Sequence, residues 1–413
     1  MTMQRRPKWI LWLGILLVVS GTVIWVLWAK ALSRSPRRYS IQSLEKEGVY
    51  QMNDPRQINN LGDVVGFGKF WKDDNETYYS LVVTNTGEAH LLPMGGSGNV
   101  LMNDHREIDG YSGGSPSAAC GYRYLLSWPE GCRKERMHWV RGFVQNVPIA
   151  NNNRGDTLIR GTISHFPKEE AHGFIDTNGN FTFLMPDGIE PSLKDRTYQF
   201  EDMNDHRVVV GTAWIPGQIN SHAVIWSASA KERLVDPNLS QTSATFKSIN
   251  DKGICVGDYL TKGGGGLFLW SNDRRVIDQY GGAGVTLNSR KINNRNQVVG
   301  IFWNDFNGHF WIDTRKTEQY SRSGEIWLQI LGYLPKEWVP QRFFPKKKLD
   351  YRCDAFLYEK GRFYDLNDTL PRNSHWERLL YASDINDQGQ IIGVGVIDGE
   401  KRGFLMTPAE EGL

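Results

Sequence analysis

Ile385-Asn386-Asp387-Gln388-Gly389-Gln390-Ile391-Ile392-Gly393 decides how this chain is read, because the same arrangement returns along its length. A strand-forming Ile runs into Asn-Asp-Gln-Gly, and a second apolar pair then closes on Gly393. The pattern predicts a tight β-hairpin. Asn and Asp side chains bond their own backbone two residues on, and Gly389 supplies the left-handed conformation that such a loop needs at its end.

Earlier stretches repeat the design. Ile58-Asn59-Asn60-Leu61-Gly62 leads to Val64, Val65 and Gly66, and Ile249-Asn250-Asp251-Lys252-Gly253 leads to Val256 and Gly257. In Ile292-Asn293-Asn294-Arg295-Asn296 the glycine slot holds Asn, the residue that tolerates a positive φ best after Gly. Met102-Asn103-Asp104-His105-Arg106 and Met203-Asn204-Asp205-His206-Arg207 put Arg there, which demands either strain or a different turn. Ile149-Ala150-Asn151-Asn152-Asn153-Arg154-Gly155 reads as a copy with two extra residues.

A short aromatic strand follows each hairpin, as in His172-Gly173-Phe174-Ile175, His222-Ala223-Val224-Ile225-Trp226 and Ala355-Phe356-Leu357-Tyr358. Its third member falls at Leu81, Leu125, Phe174, Val224, Phe268, Trp311, Phe356 and Phe404, a period of about 46 residues. That is near the repeat length of known propellers. The aromatic strands count eight units, whereas only seven hairpins are legible. The gap falls near Glu337, in Lys336-Glu337-Trp338-Val339-Pro340, which reads as an eroded hairpin.

Together with the tail Lys360-Gly361-Arg362-Phe363-Tyr364-Asp365-Leu366, these motifs resemble the HAF-type extracellular repeat family over roughly residues 39 to 413. The resemblance implies an exported all-β repeat protein, a β-propeller, with no enzymatic activity common to the family. The expected architecture is a propeller of about eight blades, with seven as the alternative, behind one N-terminal transmembrane helix. Tyr39-Ser40-Ile41-Gln42-Ser43-Leu44 stands where a tail strand belongs, and the last unit lacks one, so the first strand is expected to complete the last blade and close the ring.

Ahead of the repeats, Trp9 to Trp28 is an almost uncharged apolar run, long enough to span a hydrocarbon core and with Trp at both ends. The organisation expected is therefore a short basic segment (1–8), a signal-anchor helix (9–29), a basic tether (30–38) and the repeat domain (39–413). Cleavage after Ala31, in Ala29-Lys30-Ala31, is the alternative to an anchor. Flanking charges nearly balance, so the expected placement of the repeat domain in the periplasm or outside the cell rests on the resemblance.

Lys and Arg total 48 against 46 Asp and Glu, a formal net charge of +2. Such a balance argues against a general nucleic-acid binder, which needs a basic surface to neutralise phosphates. Cys120, Cys132, Cys255 and Cys353 lack metal-site spacing; Cys120 and Cys132 flank a short strand and are a disulfide candidate in an exported domain. His172, His222 and His309 recur at equal repeat positions, a pattern that fits ligands converging in a ring and, more simply, a structural place at the edge of each aromatic strand. The hairpin carboxylates Asp104, Asp205, Asp251 and Asp387 read as turn formers, since one per turn is too few oxygens for calcium.

No catalytic motif, cofactor motif or metal motif is present in the sequence. The leading expectation is a membrane-anchored module that binds or scaffolds a protein or glycan. The alternative is a hydrolase or lyase acting on carbohydrate from the axial channel, marked by clustered carboxylates with raised pKa values. The candidate partner-contact loop is Trp338, Arg342, Phe343, Phe344, Lys346, Lys347 and Lys348, where aromatic and basic side chains combine.

Overall fold

The computed structural model describes residues 39–304 and 353–409, apart from short connecting stretches. The apolar run at residues 9–28 and the contact loop at residues 338–348 lie outside the described residues. Among those described, no helix is long and apolar enough to cross a membrane.

The described chain is all-β, a propeller-like set of seven antiparallel sheets. In six of them the strand that opens the unit lies at one edge, in blade 1 the short strand Glu45–Lys46 flanks it, and successive hairpins carry the chain outward. These opening strands are Tyr50–Ile58, Val100–Met102, Gln145–Asn151, Thr197–Met203, Ser243–Ile249, Val285–Ile292 and Trp376–Ile385, of blades 1 to 7 respectively. Blade 7 is completed by the first strand of the domain: Tyr39–Ser43 pairs antiparallel with Glu400–Pro408, from Tyr39 opposite Pro408 to Ser43 opposite Phe404. The expected closure is what the register provides. Tyr39–Ser43 becomes the outer strand of that sheet and covers the edge of Glu400–Pro408.

Seven sheets correct the count of eight. Val298–Asn304 of blade 6 pairs directly with Cys353–Glu359, with Trp303 opposite Cys353. Ala355-Phe356-Leu357-Tyr358 is thus the aromatic strand of the Asn293 hairpin, and no hairpin is missing. Trp311, which an aromatic-strand count turns into an additional unit, lies outside the described residues.

A second correction concerns the copy at Ile149. Asn152 makes the turn contacts that Asn59 makes in blade 1, so Asn151 occupies the Ile or Met slot and the turn has no extra residues. The candidate disulfide also fails on register. Cys132 lies opposite Leu126 on the strand Cys120–Ser127, six residues from Cys120. At about 3.4 Å per residue that is roughly 20 Å, far beyond the span of a disulfide.

The core lies between consecutive sheets rather than within any one. Val210, Ala223 and Ile225 of blade 4 pack with Phe246, Phe268 and Trp270 of blade 5. The glycine that ends each Val-Val-Gly run is needed here for space. A Cβ on Gly393 would stand 2.0 Å from the Tyr381 carbonyl oxygen and 2.7 Å from the Phe404 ring, and one on Gly257 would meet the Thr245 carbonyl at 2.3 Å and Phe268 at 2.8 Å. The aromatic strand lays its ring across the bare glycine, which explains why the two motifs travel together.

Candidate functional site

All seven turns meet at the axis, where the repeated Asn forms a closed ring. The Nδ2 of Asn59 donates to the Asn103 carbonyl, Asn103 to Asn152, Asn152 to Asn204, Asn204 to Asn250, Asn250 to Asn293, Asn293 to Asn386, and Asn386 back to Asn59, at 2.8–3.4 Å. Each Asn is buried, and its Oδ1 accepts the backbone N–H groups two and four residues on, as Asn250 does from Lys252 and Ile254. One side chain therefore shapes its own turn and ties it to the next blade. Asp could do only the first of these, because it has no N–H to donate at neutral pH.

The following residue builds a second ring at the mouth of the channel. Its backbone N–H donates to the side-chain Oδ1 of the next blade, from Asn60 to Asp104, Asn153, Asp205, Asp251, Asn294, Asp387 and back to Asn60, at 2.7–2.9 Å. The second oxygens of Asp104, Asp251 and Asp387 accept from the amides of Asn60 or Asn294. Interspersed Asn thus separates most of the carboxylates. Asp205 and Asp251 are adjacent, and burial together with the Asp251 and Asp104 charges raises the Asp205 pKa.

Behind the rings lies a cavity of ≈120 Å³ bordered by Gln57, Lys291 and Asp384 as well as ring residues. Lys291 Nζ reaches across blade 5 to both oxygens of Asp202, at 2.9 and 3.0 Å. Burial works against its charge, but Asp202 and Asp384 outweigh it and raise the Lys291 pKa. Asp384 is fully enclosed, and desolvation lifts it to about 6 despite Lys291. Both carboxylates also hold neighbouring backbone: Asp202 accepts from Ile249 N and Ser248 Oγ, and Asp384 from Ile58 N.

Three residues before the ring Asn, six opening strands carry a β-bulge. The extra residues are Arg56, Ile149, Glu201, Lys247, Arg290 and Ser383. A bulge re-aims a side chain, and all six are at least partly open to solvent although their strands line the axis. Lys247 meets Glu201 at 3.4 Å, Ser383 Oγ donates to the Pro55 carbonyl, and the Tyr381 hydroxyl donates to Asp54 at 3.3 Å. These charged residues escaped the sequence reading because a bulge leaves no mark on the apolar alternation that locates a strand.

The recurrent histidines do not converge. His172 is buried edge-on to Phe200, and His222 bonds exposed Gln218, both on third strands rather than at the axis; His309 is outside the described residues. Trp376 is buried and packs edge-on to Phe404. Among the described residues the exposed large apolar side chains are Leu61, in the turn of blade 1, Tyr78, Phe183, and Trp214, Ile219 and Leu260, the last three near the ends of blades 4 and 5 opposite the turns.

No family model matches the chain, and no curated protein does. Solved structures do. A structure described as one of two prolyl endopeptidases aligns with a TM-score of 0.50 at 10% identity, over 88% of this chain and 51% of that one, so the chain spans about half its length. A streptogramin B lyase aligns with a TM-score of 0.43 at 9% identity, over 90% of this chain and 98% of that one. An acylaminoacyl peptidase aligns with a TM-score of 0.45 at 11% identity, over 86% and 52%. At such identities the likeness concerns the propeller-like fold alone.

Proposed function

We propose that this is a membrane-anchored, extracytoplasmic propeller that binds or scaffolds a protein or glycan partner. The observation that carries the reading is the commitment of the axial carboxylates. The mouth aspartates, Asp202 and Asp384 all hold backbone N–H groups of adjacent blades, so their chemistry is spent on closing the ring. The raised pKa of Asp384 has burial as its main cause, and a buried carboxyl that bonds backbone is poorly placed to exchange protons with a substrate.

The anchor reading rests on the apolar run at residues 9–28 and on the basic tether that follows it. Tyr39 enters the domain at the turn end of blade 7, opposite Pro408. The other end carries Trp214, Ile219 and Leu260, and the connection through residues 305–352 joins Asn304 to Cys353 there. Exposed apolar residues on such an end suit partner contact better than the self-satisfied turn end.

The test is crosslinking of the tagged full chain in its native envelope, followed by mass spectrometry, for the parent and for Trp214→Ser with Ile219→Ser. A discrete partner recovered by the parent and lost in the variant supports the binding reading. Turnover of a carbohydrate by the purified chain, abolished by Asp384→Asn at unchanged melting temperature, would move the assignment to an enzyme.

A further inference from the structure

We propose that the arc Arg56, Tyr381, Arg290 on three consecutive blades of the axial channel binds an oxyanion, the carboxylate or phosphate group of a ligand. The inference deepens the binding reading by giving a ligand chemistry, and it rests on that reading.

Arg290 carries most of the argument. It is the bulged residue of Val285–Ile292, exposed although it sits on an opening strand, and it makes no hydrogen bond or ion pair with any described residue. Its charge acts on Asp258, but no described residue takes its donors, of which a guanidinium has five. Its neighbours are also constrained. Arg56 is the bulged residue of blade 1, half-exposed, held at 2.6 Å by Asp54 and lying over the Phe67 ring at 5.6 Å. That pairing engages one edge of its fork and fixes the plane of the rest.

Between them, on blade 7, the Tyr381 hydroxyl bonds Asp54. Arg56 and the Tyr381 hydroxyl share Asp54, and blade 7 stands between blade 6, which carries Arg290, and blade 1, which carries Arg56. Lys247 of blade 5 extends the arc but is partly neutralised by Glu201 at 3.4 Å. The opposite wall of the bulge tier offers Glu201 and Ile149, so the channel has one face for an anion and one that repels it. Planar oxyanions match paired guanidinium forks better than a point charge does.

The experiment is calorimetric titration of inorganic phosphate, and separately of galacturonate, into the full chain in neutral detergent at fixed ionic strength. Saturable binding of at least one probe is expected, and which probe binds tells phosphate from carboxylate. Arg290→Gln should weaken it roughly 10- to 100-fold, the worth of a charge-assisted hydrogen bond. Lys252→Gln, an exposed cation at the turn end, should leave it unchanged. Arg290 bonds no described residue, so its variant should melt with the parent; should Arg56→Gln melt early, Arg290→Gln carries the test alone. No saturable binding of either probe, undiminished binding in Arg290→Gln, or equal loss in Lys252→Gln would each overturn the site. Partner recovery that persists in Arg290→Gln alongside such a result would sink the oxyanion site and leave the binding reading standing.

Discussion

Arg207 grips Asp156 of the preceding blade with Nε and Nη2, both at 2.8 Å, while its own backbone sits at φ 59°. Arg106 does the same to Asp63 from φ 62°. The two copies with Arg in the glycine slot therefore keep the common turn, tolerate its strain and offset it with an inter-blade bridge. Replacement separates the two effects. Both variants lose the bridge, but Arg207→Ala keeps the left-handed strain whereas Arg207→Gly relieves it. Arg207→Ala should be the less stable of the pair by about 1 kcal/mol in chemical denaturation. Equal stability would show that the turn relaxes to another conformation.

Two glycines with different reasons for being glycine should respond differently to Ala. Gly253 has φ +72° with nothing within 4 Å of a new Cβ, so Gly253→Ala should cost about 1 kcal/mol. Gly393→Ala forces a Cβ against the Tyr381 carbonyl and the Phe404 ring, and should cost on the order of 3 kcal/mol or unfold blade 7. Thermal melts of the two variants decide the ranking.

Stability should fall as pH rises from about 4 to 7. Burial raises Asp258 from its ordinary 3.8 to about 7 and likewise Asp365 to about 7, and it raises Asp384 to about 6. Between the unfolded and folded values the folded state binds more protons, so each added pH unit favours the unfolded chain. Asp156 behaves oppositely. Burial works to raise it, but its bonds to Arg207 and Asn152 win and hold it below the ordinary value, so its contribution is lost only as acid protonates it. Asp258→Asn keeps an oxygen for Ser289 and should remove part of the neutral-pH penalty, on the order of 2–4 kcal/mol between pH 4 and 7.5. An undiminished slope in that variant would contradict the assignment.

The turn chemistry was legible in the sequence because it is local. Asn386 must bond Gln388 and Gln390, and Gly389 must turn left, whatever surrounds them. Closure by Tyr39–Ser43 was legible from the missing tail strand of the last unit. The ring itself was not, since the Asn386 to Asn59 contact joins residues 327 apart and looks in sequence like one more Asx turn. The blade count misled because His309-Phe310-Trp311 has the composition of an aromatic strand, whereas the strand that pairs with Val298–Asn304 is Cys353–Glu359. Arg56 and Arg290 went unnoticed because only the bulge, a property of pairing, turns them toward the axis.

The central claim is that the repeated Asn closes the propeller and does more than shape a turn, and Asn386→Asp tests it most directly. Asp at this position can still accept from Gln388 and Gln390 but cannot donate to the Asn59 carbonyl, the bond of 3.0 Å that joins the last blade to the first. Measured by urea denaturation at pH 7, Asn386→Asp should lose about 2 kcal/mol or more, approaching the loss in Asn386→Ala. Asn386→Asp as stable as the parent would reduce the Asn to a turn former and remove the ring from the account.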